Sequence, residues 1–295
     1  MEIQWYPGHM TKARRQMQED LKLIDIIIEL IDARIPYSGR NPDIRSMGAQ
    51  KSRVIVLNKS DLADERKNRL WMEYYQAQGA QVLLADSRNR ASLKQVQPLI
   101  REACREKIER DRRRGIRNRT IKAMVAGIPN VGKSTFINSM AGRASAKTGN
   151  KPGVTKGKQW IHLSKELDLL DTPGILWPRF DDPKAGVRLA LIGSVSDEVV
   201  QTEELSLELI RYLAAEYPGL LEARYGVAES EEPVRILENI AVNRKCLASG
   251  NQVSYEKAAG ILLDEFRRGA VGRVTLETPE EYGSAVSAEK VGDQR

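Results

Sequence analysis

The sequence predicts an α/β domain, a parallel sheet with helices on both faces, joined to a second domain built only of helices. Three observations carry that prediction. Short apolar runs alternate with helix-patterned stretches up to about residue 178, and such alternation builds a parallel sheet covered on both sides. Beyond Pro178 the helical pattern continues with no convincing strand between the helices. Between residues 126 and 133 a glycine-containing loop joins a strand directly to a helix.

In chain order, residues 11–21 read as a polar helix rich in Lys, Arg, Gln and Glu. Residues 25–31 (DIIIELI) form a nearly continuous apolar run ending at Asp32, the pattern of a strand buried on both faces. The stretch DARIPYSGRNPD carries Pro36, Gly39 and Pro42 and reads as a loop. A second buried strand is predicted over 53–57 (RVIVL), a helix over 61–78 ended by Gly79, and a third strand over 80–85. Residues 92–113 read as one long charged helix. A fourth strand over 120–126 leads through the glycine loop into a helix over 133–140, and residues 159–163 and 168–170 read as a strand pair. Further helices are expected at 184–192, 197–216, 234–247 and 255–268. The domains are therefore placed at 1–178 and 179–282, with 283–295 as a loose tail.

Residues 127–134 (GIPNVGKS) satisfy G-x-x-x-x-G-K-[ST] after a strand and at a helix start, where that pattern has a physical use. Gly127 and Gly132 let the backbone wrap a phosphate without side-chain clash. The amides of Val131, Gly132, Lys133, Ser134 and Thr135 can then donate to a β-phosphate from the positive end of a helix. Lys133 is suited to reach the β and γ oxygens, and Ser134 to offer its hydroxyl to Mg²⁺. A chance glycine loop is the competing reading, and a second motif argues against it. Residues 169–174 (LLDTPG) end an apolar strand in Asp171, suited to hold Mg²⁺ through water, and in Gly174, whose amide can sense a γ-phosphate. Between the two motifs lies KPGVTKG, in which Thr155 is the hydroxyl expected to cap Mg²⁺ in the triphosphate state. Segments around Thr155 and Gly174 would be ordered by the γ-phosphate and released after hydrolysis.

A carboxylate can accept both the N1–H and N2–H of guanine, a pair of donors that adenine lacks. NKSD, residues 58–61, follows the strand RVIVL and supplies such a carboxylate in Asp61. Lys59 is suited to lie along the base plane, and Asn58 to tie this loop to the phosphate loop. The third strand leads into Asp86, Ser87 and Arg88, where GTPases often carry Ser-Ala with a backbone contact to the base oxygen. Ser87 fits that pattern and Arg88 departs from it. Together these motifs predict a P-loop GTPase that binds GTP and GDP with Mg²⁺. Their order is permuted: most GTPases run phosphate loop, switch I, DTPG, NKxD and Ser-Ala, whereas NKSD and Ser87 precede the phosphate loop here. All parts sit at strand ends, so the same sheet can assemble with relocated termini. The chain leaves the first domain just after DTPGILWP, a route by which nucleotide state is expected to reach the helical domain.

The net charge of +7 is unevenly spread. Residues 1–178 hold 33 Lys/Arg against 19 Asp/Glu, a balance of +14, and residues 179–295 hold 14 against 21, a balance of −7. The densest run, residues 101–122, has ten basic residues against four acidic ones and reads either as a solvated helix face or as a polyanion footprint. No stretch approaches the roughly 18 apolar residues that span a bilayer, so no membrane partner is expected. The N-terminus lacks the apolar core of a signal peptide. Cys104 and Cys246 supply neither a disulfide framework nor a CxxC metal spacing. A reduced, cytoplasmic and monomeric protein is expected.

The permuted order together with QWYPGHMTKARRQ, DARIPYSGRNP, GIPNVGKSTFIN, PGVTKG and DTPGILWP resembles the bacterial ribosome biogenesis GTPase A family over the whole chain. The resemblance implies a GTPase acting late in maturation of the large (50S) ribosomal subunit, bound to the subunit or its precursors through ribosomal RNA. The residue after DTPG, where Ras-like enzymes place a water-orienting glutamine, is Ile175. The resemblance points instead to His9 as the catalytic candidate, with a surface role in RNA or packing contact as its alternative. His162, on the strand QWIHL, reads as structural. Asn130 matches GTPases that recruit K⁺ to the nucleotide. Two further readings stay open: a GTP switch with a non-ribosomal target, and an RNA-binding protein whose nucleotide site is vestigial. Intact Lys133, Ser134, Asp61 and Asp171 argue against the last.

Overall fold

The computed structural model describes residues 3, 8–116, 119–144, 146, 159–180, 182–248, 250 and 252–283. The chain begins with helix α1 (Gly8–Asp20) and strand β1 (Ile26–Asp32), all of whose residues are buried. Then come α2 (Pro42–Met47), β2 (Ser52–Asn58), α3 (Glu65–Ala77), β3 (Gln81–Ala85), α4 (Val96–Ala103) and α5 (Arg105–Arg113). Strand β4 (Ile121–Ala126), helix α6 (Lys133–Ala141) and the strands β5 (Gln159–Ser164) and β6 (Leu167–Asp171) follow. The sheet order is β3-β2-β1-β4-β6-β5, parallel throughout except for the antiparallel pairing of β5 with β6. A chain that ran β4, β5, β6, β1, β2, β3 would build the same sheet with its motifs in the usual order, which is what the permutation amounts to.

The continuous Ile/Val/Leu runs of β1 and β2 are explained by burial on both faces. Met17 of α1 and Leu21 of the 3-10 turn that follows it pack with Ile27, Met124 and Leu170, while Trp71 and Tyr75 of α3 pack with Ile31, Ile55 and Leu57. Strand alternation puts these sheet residues on one face. Ile28, Leu30, Val54 and Val56 point the other way and are equally buried. The motif-bearing ends of β2, β3, β4 and β6 therefore emerge together at the carboxyl edge of a rigid sheet, the edge where open α/β sheets bind ligands.

Several local expectations are corrected. The stretch read as a loop after Asp32 ends in the first turn of α2, started by Asn41, whose side chain caps the Asp43 amide, and by Pro42. The long charged helix is divided: residues 90–93 form a 3-10 turn, and Cys104 (φ −101°, ψ 5°) separates α4 from α5. The helix expected over 197–216 starts properly only at residue 202, because Val200 and Gln201 are extended after a Ser196-capped 3-10 turn.

The described residues divide into two compact units, one of 8–177 with 277–283 and one of Ile3 with 178–276. The second comprises α7 (Pro183–Leu191), α8 (Thr202–Glu216), α9 (Leu220–Tyr225), α10 (Pro233–Asn243) and α11 (Tyr255–Arg268). Helix α9, bounded by Gly219 and Gly226, was not expected from sequence. The boundary expected at residue 282 also moves, because residues 277–282 return to the sheet unit. The Glu277 carboxylate is fully buried there and accepts from the Tyr37 amide, the Ser38 amide and hydroxyl, and the Tyr282 hydroxyl. The expected tail from residue 284 onward lies outside the described residues. No described helix is long and apolar enough to cross a membrane.

Candidate nucleotide site

Strand β4 delivers the chain into the 127–132 loop, and Gly132, at φ 99°, turns it into α6. A Cβ at Gly132 would also stand 2.6 Å from Asn58 Nδ2, so glycine is required by space as well as by φ. Lys133 is buried, and its ammonium donates to the main-chain oxygens of Gly127 (3.1 Å) and Ile128 (2.8 Å). Burial lowers its pKa to about 8, with Asp171 opposing and Lys59 reinforcing the shift. The DTPG main chain lies against the same group. A Cβ at Gly174 would fall 2.8 Å from Lys133 Nζ and 2.8 Å from Pro129 Cα, so only glycine fits.

Asp171 ends β6 with its Oδ1 buried and without a hydrogen-bond partner. Burial raises its pKa to about 6, against the pull of Lys133 and of the Thr172 amide. The Thr172 hydroxyl donates to Val125 O (2.7 Å) and fastens the segment to β4. A buried carboxylate oxygen with no donor is costly unless a cation or water completes it. A carboxylate and the hydroxyl of Ser134, in the first turn of α6, form a hard oxygen donor set that fits Mg²⁺. No group of three or more His, Cys, Asp or Glu side chains that could hold a metal occurs among the described residues. Thr155, the expected third ligand, lies outside the described residues.

Asn58 is the junction of three loops. Its Nδ2 donates to Val131 O (2.7 Å), and its Oδ1 accepts from the Ser87 amide (3.0 Å) and hydroxyl (2.7 Å). Ser87 therefore has a different job from the expected one: both of its donors brace Asn58, so its amide is not the contact for a base oxygen. Its carbonyl accepts from Ser139 of α6 (2.5 Å). Lys59 reaches from the base loop to the phosphate loop, donating to Asn130 O (2.7 Å) and pairing with Asp32 (3.1 Å). Lys59 (φ 57°) and Asn130 (φ 58°) both hold left-handed backbone, strain that non-glycine residues keep only where surrounding contacts enforce it. Asp61 has one carboxylate oxygen buried without a partner, while the other accepts from Arg88.

Asp32 and Arg34 were missed as site residues. Arg34 grips the Asp32 carboxylate at 2.9 and 2.8 Å, and both side chains are fully buried. Burial alone would raise Asp32, but Arg34 and Lys59 outweigh it and hold the carboxyl well below the usual range. The signal was an acidic residue at the carboxyl end of a buried parallel strand. Ile175 is buried in the core with Met124 and Leu170, and the Asn41 side chain donates to its carbonyl (2.9 Å). No water-orienting group comes from that position. His9 lies on α1, with its side chain outside the described residues. His162 is on β5, paired with Asp168 (2.7 Å).

Comparison with known proteins gives a consistent picture. Residues 122–234 match the model of a family described as 50S ribosome-binding GTPase. "Ribosome biogenesis GTPase A" of Bacillus cereus is 44% identical over 287 residues, covering 97% of each chain. Two solved structures of YlqF from Thermotoga maritima are similar in fold. The GNP-bound form superposes with a TM-score of 0.64 at 26% identity, covering 91% of this chain and 99% of that one. The GDP-bound form gives 0.65 at 25% identity, covering 90% and 100%.

Proposed function

The chain belongs to the ribosome biogenesis GTPase A family and hydrolyses GTP, and on that premise we propose that it assembles the large ribosomal subunit, binding ribosomal RNA in the GTP state and leaving after hydrolysis. The observation that carries this reading is a nucleotide site and an arginine-rich helix on one folded unit. Helix α5 exposes Arg105, Arg110, Arg112 and Arg113, with Arg114 at its end. A cavity of about 880 Å³ opens beside it, near the starts of β1 and β4 and so away from the phosphate loop; Arg101, Lys107, Arg112, Arg113 and Arg119 line it, with Asp25, Asp111 and Glu166 among them. Such a surface attracts RNA phosphates, and its affinity should fall with added salt. The helical unit, residues 178–276, is proposed as a second contact with the ribosome.

In this account Asp61 accepts from guanine, and Asn58, Lys59 and Ser87 brace the loops around it. The amides of Val131, Gly132, Lys133, Ser134 and Thr135 and the Lys133 ammonium hold the phosphates, and the Gly174 amide reads the γ-phosphate. Asp171, Ser134 and Thr155 would hold Mg²⁺, which when bound neutralises phosphate charge. Asn130 is the proposed K⁺ ligand, and Lys59 holds its backbone by donating to its carbonyl. With Ile175 buried, His9 is proposed to orient the attacking water. The protein is proposed to act as a cytoplasmic monomer. Sedimentation with 50S subunits or their precursors tests the reading. It requires tighter, salt-sensitive association with a non-hydrolysable GTP analogue than with GDP, and equal association in both states counts against it.

A further inference from the structure

Arg88 stands where Ser-Ala GTPases carry alanine, and it is held from two sides. Its Nε and Nη2 donate to Asp86 Oδ1 (3.0 Å) and Oδ2 (3.2 Å), and its amide donates to Asp86 Oδ1 (2.9 Å). The same Nη2 donates to Asp61 Oδ2 (2.5 Å). One guanidinium thus bridges the carboxylate that follows β3 and the carboxylate that closes NKSD. The other carboxylate oxygen of Asp61, Oδ1, is shielded from solvent and has no hydrogen-bond partner. An ionised carboxylate offers about four lone-pair directions, and Arg88 takes one of them. Oδ1 stays unpaired, and because the guanidinium fork is held by Asp86, the single Nη2–Oδ2 bond acts on Asp61 from a fixed point.

We infer that Arg88 is a positioning residue for guanine recognition: it holds Asp61 Oδ2 from outside and presents Oδ1, with the rest of Oδ2, to the N1–H and N2–H donors of the base. This rests on the proposed base site. Because Asp86 already anchors the guanidinium, a base can enter without displacing it. The opposite behaviour, a latch covering Asp61 that guanine must push aside, predicts the opposite sign on removal.

Calorimetric titration with GDP and IDP, which lacks the 2-amino group, tests the inference. The Arg88 side chain is 65% exposed, so its loss should leave the fold intact and the effect should be modest. Arg88→Ala should weaken GDP binding about two- to fivefold and IDP binding less, lowering the GDP preference over IDP, as expected for a screened ion pair. Arg88→Lys should recover part of the ratio, and Asp86→Asn should shift it the same way by less. Tighter GDP binding in Arg88→Ala, or an unchanged ratio, would overturn the inference. Asp61→Asn, titrated alongside, separates the two levels. If it abolishes the GDP preference while Arg88→Ala does nothing, only the role of Arg88 fails. If Asp61→Asn keeps the preference, the base site itself is misplaced.

Discussion

Asn58 and Ser87 share two hydrogen bonds through one oxygen: the Ser87 amide and hydroxyl both donate to Asn58 Oδ1, at 3.0 and 2.7 Å. The other end of the same amide donates to Val131 O in the phosphate loop. One side chain therefore joins both base-side loops to the phosphate loop, beside the link that Lys59 makes to Asn130 O. Asn58→Ala removes three buried hydrogen bonds and strands the Ser87 amide, which should cost about 2–4 kcal/mol. Urea unfolding checks the cost, and GDP titration of the folded variant should show weakened binding. Unchanged stability and affinity would mean that the junction is not energetically used.

Asp61→Asn should convert the base preference from guanine to xanthine. The amide supplies a donor for the xanthine 2-carbonyl in place of an acceptor for the guanine 2-amino group. Competition between GDP and XDP measures this, and a variant that still favours GDP contradicts the assignment.

Affinity for Mg²⁺·GDP should peak between about pH 6 and pH 8. The protonated form of Lys133 is the one that meets phosphate. Above its pKa of about 8 the free protein must take up a proton on binding, so affinity falls as pH rises. The ionised form of Asp171 is the one that holds Mg²⁺. Below its pKa of about 6 binding must release a proton, so the Mg²⁺-dependent part falls as pH drops. Lys133→Arg should flatten the alkaline limb, and titration across pH 5–9 checks both signs.

Much of this site was legible because its chemistry fixes residue types at strand ends. Asp171, Gly174 and Asp61 lie at or just after the end of a buried strand, and Lys133 at the helix start that follows one, positions marked by apolar runs that stop at a polar or glycine residue. The parts that escaped were set by contacts distant in sequence. Glu277 is a single acid among many until the fold brings the Tyr37 and Ser38 amides to it. Helix α2 was hidden by the prolines and glycine around it, although Asn41-Pro42 is itself a helix-start signal. Asp32 and Arg34 form a pair whose use depends on Lys59 arriving from another strand.

His9→Ala should slow GTP hydrolysis with little change in GDP affinity, the pattern of a group used in the transition state. Single-turnover hydrolysis and GDP titration on the same protein separate the two effects. A parallel loss of affinity would mean that His9 supports the fold or the nucleotide pocket instead.

The large subunit is proposed as both the target and the trigger. Multiple-turnover phosphate release should be measured with 50S subunits, with 30S subunits and with neither, at one salt concentration. 50S subunits should accelerate release strongly and 30S subunits should not, and charge reversal at Arg112 and Arg113 should diminish the acceleration. Equal rates in all three conditions would contradict the proposal, leaving a GTPase whose target is elsewhere.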